Sequence, residues 1–173
     1  MQANRALRSC KSVSVLFALV ISTMTAGAQA ADIDKFVGTW RLVSRVYEEV
    51  ESKAVHKPFG DNPSGILINS SDGWFCAIIT ASNRKPPAAL VPTDTEAAEL
   101  WRTTTGTCGR YKIDGDKRSL TYEIPSNPAF GGREETDALE WKSPDRFQSK
   151  SAPFLSDRVG KQVVLINVWE RVK

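Results

Sequence analysis

Along most of this chain apolar and polar residues alternate at period two, and short breaks rich in Gly, Pro, Asn and Asp interrupt the alternation. Successive side chains of a strand point to opposite faces, so the pattern predicts a series of antiparallel strands. The first runs from Thr39 to about Val50, with Trp40, Leu42, Ser44 and Val46 on one face and Arg41, Val43, Arg45 and Tyr47 on the other. After a turn-rich stretch from Lys57 to Gly65 come Ile66–Asn69, a Ser70-Ser71-Asp72-Gly73 turn and Trp74–Thr80. Asp-Gly between apolar runs is a hairpin signal. Strands resume at Gly106–Ile113 and Ser119–Ile124, and further ones lie near Arg133–Trp141, Arg146–Lys150 and Gln162–Arg171. Tyr111 falls on one face with Ile113, and Tyr122 on one face with Leu120 and Ile124.

A single helix interrupts the series. Thr93-Asp94-Thr95-Glu96 has the spacing of a capping box, and its acidic residues suit the positive end of a helix. Ala97, Ala98, Leu100 and Trp101 then form an apolar stripe of about two turns, too short to persist alone. The stripe is predicted to pack across one mouth of a barrel. Before it, Asn83–Pro92 contains Pro86, Pro87 and Pro92 and is an extended loop. The expected architecture is all-β: an up-and-down antiparallel barrel of about 8–10 strands with one short helix at the rim. Gly38-Thr39-Trp40 opens its first strand and Trp169-Glu170-Arg171 closes its last, so a rolled sheet would lay the Arg171 guanidinium over the Trp40 indole. Such a contact contributes about 0.5–2 kcal/mol.

Residues 1–30 have the organisation of an export signal. Arg5, Arg8 and Lys11 precede an apolar stretch from Val13 to Met24, and Ala28-Gln29-Ala30 supplies a small–x–small cleavage site. The apolar stretch is shorter than the ~20 residues a membrane-spanning helix needs. Cleavage after Ala30 would leave residues 31–173 as one domain in the periplasm or outside the cell, with no stable membrane insertion. The leader holds three of the 23 basic residues and none of the 20 acidic ones, so the remainder carries equal numbers of each. No basic run is left to release counterions from a polyanion, which argues against nucleic acid as a partner. Two cysteines remain, Cys76 and Cys108. Outside the cytoplasm they are free to form a disulfide, and two buried free thiols are the other reading.

Several segments in order now carry a resemblance: Phe36 to Ser44, Pro58-Phe59-Gly60 with Pro63-Ser64-Gly65, Asp72-Gly73-Trp74, Gly109-Arg110-Tyr111, Asp114-Gly115-Asp116 and Trp169-Glu170-Arg171. The ordered set resembles the lipocalin-like domain family of the calycin superfamily, although many relatives carry Tyr and Met around the Trp74–Phe75 position. The resemblance implies an up-and-down β-barrel with a rim helix and an interior suited to a small, mostly apolar molecule. It implies no particular reaction, since some relatives in the wider superfamily are isomerases or cyclases.

The chemistry-bearing residues are sparse. His56 is the sole histidine and lacks a nucleophile and orienting carboxylate nearby in sequence, so a solvated loop position is expected. Glu134, Glu135 and Asp137 are expected at a solvated strand edge rather than around a metal. With one histidine and no methionine beyond residue 30, no haem or other cofactor is expected. The inward candidates for a ligand site are Ser44, Phe75, Tyr111, Tyr122, Asn167 and Trp169, apolar walls with a few groups able to hydrogen-bond. The expected function is uptake of one small hydrophobic or amphipathic molecule inside the barrel, gated by the rim helix and the proline-rich loop. A cyclase or isomerase using Tyr111 or Tyr122 as proton donor is the alternative, and a solid core with no ligand is a third.

Overall fold

The computed structural model describes residues 33–173. The leader assigned to residues 1–30, with its cleavage site after Ala30, lies outside the described residues. Ten strands follow a helical turn at residues 33–36. Eight of them make the barrel: β1 (Gly38–Glu49), β3 (Ser64–Asn69), β4 (Trp74–Thr80), β5 (Thr104–Asp114), β6 (Lys117–Pro125), β7 (Glu134–Ser143), β8 (Arg146–Ser151) and β10 (Gln162–Arg171). Each pairs antiparallel with the next, and β1 pairs with β10 to close the ring. Two-residue strands, β2 (Val55–His56) and β9 (Phe154–Leu155), extend the edges of β1 and β10. The barrel thus has the up-and-down order that the alternation predicts.

Closure brings the two chain ends together. Trp40 and Arg171 are direct register partners, and the guanidinium lies 4.1 Å from the centroid of the indole. The same guanidinium donates to the carbonyls of Val37 (Nη1, 2.8 Å) and Lys35 (Nη2, 2.6 Å). Phe36 O accepts from Trp40 Nε1 at 2.9 Å and from Asn69 Nδ2 at 3.0 Å. These bonds hold the segment before β1 as a plug beneath the barrel. Phe36, Trp40, Trp141 and Phe147 fill that end, with ring centroids 4.8–6.0 Å apart. Gly38 makes the approach possible: its φ is +125°, and a Cβ there would sit 2.9 Å from Arg171 Nη1.

Two bulges interrupt the alternation and change which residues face inward. On β1, Leu42 pairs with Trp169 but Ser44 pairs with Val168, so Val43 has no partner. Beyond it the phase is reversed: Arg45 faces Asn167, and Tyr47 faces Leu165. The predicted assignment of Ser44 and Val46 to the inner face therefore fails, and Arg45 and Tyr47 take their places. On β6, Tyr122 pairs with Gly109 and Ile124 with Cys108, which leaves Glu123 unpaired and turns Ile124 outward, 67% exposed. Gly109 admits this bulge because a Cβ there would lie 1.9 Å from the Thr121 carbonyl oxygen.

The helix, α1 (Asp94–Arg102), starts with the predicted capping box between Thr93 and Glu96. It stands at the rim, between β4 and β5, but buries none of its residues. Trp101 is 53% exposed, and Leu90 and Val91 of the preceding loop are more exposed still. The expected seal across the mouth is therefore absent. Ala98 and Leu100 of the stripe are only half-buried.

Candidate functional site

The far end from the aromatic plug is the open one, ringed by the loops that join β1 to β3, β4 to β5, β6 to β7 and β8 to β10. Below this mouth the barrel encloses a cavity of about 110 Å³. Leu67 on β3, Phe75, Ala77 and Ile79 on β4, Leu120 on β6 and Leu165 on β10 form its apolar wall. These are every second residue of their strands, as inward register requires. Trp169 and Phe75 line its inner part.

Charged and polar side chains complete the lining, and on β6 they flank Leu120. Arg118 of β6 and Asp137 of β7 are register partners, both buried, and join through Arg118 Nη2 and Asp137 Oδ2 at 2.6 Å. Tyr122, two inward positions further along β6, donates to Glu135 Oε2 at 2.5 Å. Glu135 also forms an ion pair with Arg133, its Oε1 3.1 Å from Nε. Arg45 reaches in from β1, donating to Asn167 Oδ1 (Nη1, 3.1 Å) and Tyr47 Oη (Nη2, 3.4 Å). Its guanidinium also lies over the Phe59 ring, 5.1 Å from the centroid. No carboxylate pairs with it among the described residues.

The candidate residues separate into two groups. Phe75, Tyr122, Asn167 and Trp169 line the cavity together. Tyr111 does not: it belongs to the core at the plugged end, where its hydroxyl donates to Ser70 O at 2.8 Å. Ser44 lies on the outer face, for the reason given by the Val43 bulge. Glu135 and Asp137, expected at a solvated edge, point into the barrel. Their phase was readable, since Leu139 and Trp141 follow at intervals of two on the same strand, and Arg118 is likewise in phase with Leu120 and Tyr122. Charge alone assigned them to solvent. Arg45 had no comparable signal, because only the pairing partner reveals the bulge.

Burial raises the pKa of Tyr122 far above the usual phenol range, and the neighbouring Glu135 charge and hydrogen bond add to the shift. Tyr122 is thus a hydrogen-bond donor held in its neutral form and a weak proton donor at ordinary pH. Burial also raises the Tyr111 phenol. His56, placed on β2, contacts Glu49 Oε1 through Nε2 at 2.8 Å. Ser52 bonds the other oxygen of that carboxylate, so the acid separates the imidazole from the hydroxyl and no relay from serine to histidine exists. Among the described residues no cluster of His, Cys, Asp and Glu could hold a metal ion. Cys76 and Cys108 are direct register partners on the outer face of β4 and β5 and form a disulfide. Among the described residues no helix is long and apolar enough to cross a membrane.

The profile of the lipocalin-like domain matches residues 37–153, up to the loop before the closing strand β10. None of the curated proteins matches the chain. Among solved structures it is similar to a lipocalin-like protein from Bacteroides uniformis, with 14% identity over 80% of this chain and 99% of that one and a TM-score of 0.43. A de novo designed fluorescence-activating β-barrel gives 10% identity, coverage of 81% and 96%, and a TM-score of 0.39. A mutant of the fluorescent protein UnaG gives 15%, coverage of 82% and 99%, and 0.38.

Proposed function

The chain belongs to the lipocalin-like domain family, and from that premise we propose that its barrel binds one small amphipathic molecule. The observation that carries this reading is the cavity itself, a void of about 110 Å³ lined by both apolar and polar side chains. A well-packed core leaves few voids larger than a water molecule. A cavity of about 150 Å³ admits a molecule the size of benzene, so the ligand is small unless side chains at the mouth move. Burying its apolar part against Leu67, Ile79 and Leu120 would contribute roughly 25 cal/mol per Å². Tyr122 and Asn167 would orient its polar part. Native mass spectrometry of protein purified from its own host should show a retained small molecule, and Ala77→Trp, which fills the cavity, should release it. No retained mass, together with no uptake of an environment-sensitive apolar dye, overturns the proposal.

We propose also that the protein is exported and cleaved after Ala30. The composition of residues 1–30 supports this, and so does the Cys76–Cys108 bond, a feature of oxidising compartments. Cell fractionation with N-terminal sequencing should find a chain starting at Ala31 outside the cytoplasm. An intact Met1 in the cytoplasm would dismiss it.

A further inference from the structure

The polar groups of the cavity are out of balance. Arg45 Nε, Arg118 Nε and Trp169 Nε1 are buried, sit on residues that line the cavity, and have no acceptor among the described residues. All three are obligate donors. In the same lining the acceptors are already engaged: Asp137 by Arg118, Glu135 by both Tyr122 and Arg133, and Asn167 Oδ1 by Arg45. The hydroxyl of Thr107, also without a partner, can donate as well as accept. Charge repeats the asymmetry. Arg118 and Asp137 cancel, Glu135 is matched by Arg133, and Arg45 remains a cation with no carboxylate.

Buried donors are costly to leave unmade, and a buried charge more so. We infer that the ligand supplies what the protein lacks, an anionic oxygen acceptor, and that it is a small monocarboxylic acid. Its carboxylate lies against Arg45 and accepts from the unmet N–H groups, and its hydrocarbon lies along Leu67, Phe75, Ala77, Ile79 and Leu120. The cavity is smaller than one that admits benzene, so the end of the hydrocarbon lies toward the open mouth. An ammonium would leave the donors as they are and would also face Arg45, whereas a neutral hydroxyl or carbonyl would accept from one donor without matching the Arg45 charge. This inference rests on the cavity being a binding site, and it names the chemistry of the occupant.

The test is a calorimetric titration of the full chain at pH 7 with hexanoate, hexanol and hexylamine, three probes of similar length and different head group. Hexanoate should bind at least ~10-fold more tightly than either of the others, the ratio given by a hydrogen bond to a charged group. Arg45→Gln should remove that advantage, bringing hexanoate to within about 2-fold of hexanol. If that variant does not fold, the comparison of the three probes on the unchanged protein decides. Hexanol binding as well as hexanoate overturns the anion site and leaves the cavity as an apolar binding site. Tightest binding of hexylamine overturns it in favour of Glu135 and Asp137. No binding of any probe overturns both this inference and the proposed function.

Discussion

At the scale of single residues, the interior is governed by whether each buried charge keeps its partner. Arg118 and Asp137 are both nearly inaccessible and bound at 2.6 Å, so removing one strands the other in a medium that solvates it poorly. Asp137→Ala is expected to cost about 3–5 kcal/mol in denaturant unfolding, whereas the double variant Arg118→Met with Asp137→Leu should lie much nearer the parent. Equal losses in the single and double variants would mean that packing, not the pair, sets the cost. Arg171 is a contrasting case because it is partly solvated. It bonds two main-chain carbonyls and covers Trp40, so Arg171→Ala should lower stability by about 2–3 kcal/mol. Lysine lacks the planar fork and should recover only part of that. Unchanged melting of Arg171→Ala would remove its closing role.

At the scale of elements, period-two alternation made the strands legible to within a few residues, and the capping box placed the helix. What alternation does not contain is a local loss of phase. The bulges at Val43 and Glu123 are properties of a pair of strands, and the sequence of either strand alone looks regular across them. The inner face of β1 was therefore right as far as Leu42 and wrong from Ser44, which concealed Arg45. The charged wall on β6 and β7 was hidden for another reason: hydropathy sends Arg118 and Asp137 to solvent, although their spacing from Leu120 and Leu139 places them inside. Gly109 is the residue on which the second bulge depends, because the contact its Cβ would make is with backbone and no rotamer change relieves it. Gly109→Ala should cost about 1–3 kcal/mol. Gly106→Ala on the same strand, where the nearest atoms are 3.9 Å away, should stay within about 0.5 kcal/mol. Similar melting temperatures for the two variants would show that the bulge is not held by that close approach.

For the molecule as a whole, the barrel joins a solid end to a hollow one, and the hollow end carries the polar groups whose protonation the fold controls. Tyr122 connects that arrangement to overall stability. Burial comes first in raising its pKa, the Glu135 charge and hydrogen bond next, and Arg118 opposes them weakly. In the unfolded chain the same phenol ionises near the usual value of about 10. Below that pH both states hold the proton, so the stabilising effect of the shift is fully present. Above it the unfolded state releases a proton that the folded state retains, and stability falls by about 1.4 kcal/mol per pH unit for this group. Tyr111 is raised as well and contributes in the same direction, but it sits at the plugged end and is unchanged in a Tyr122 variant. The difference between wild type and Tyr122→Phe therefore isolates the cavity tyrosine. Phenylalanine removes the hydroxyl that donates to Glu135, which shifts the neutral-pH stability by a constant. The slope, not the offset, reports the titration. Urea unfolding measured from pH 8 to 11.5 should give parallel curves up to about pH 10 and a steeper decline for wild type beyond it. Parallel curves throughout would place Tyr122 in contact with solvent and remove the dry polar wall on which the binding site is built.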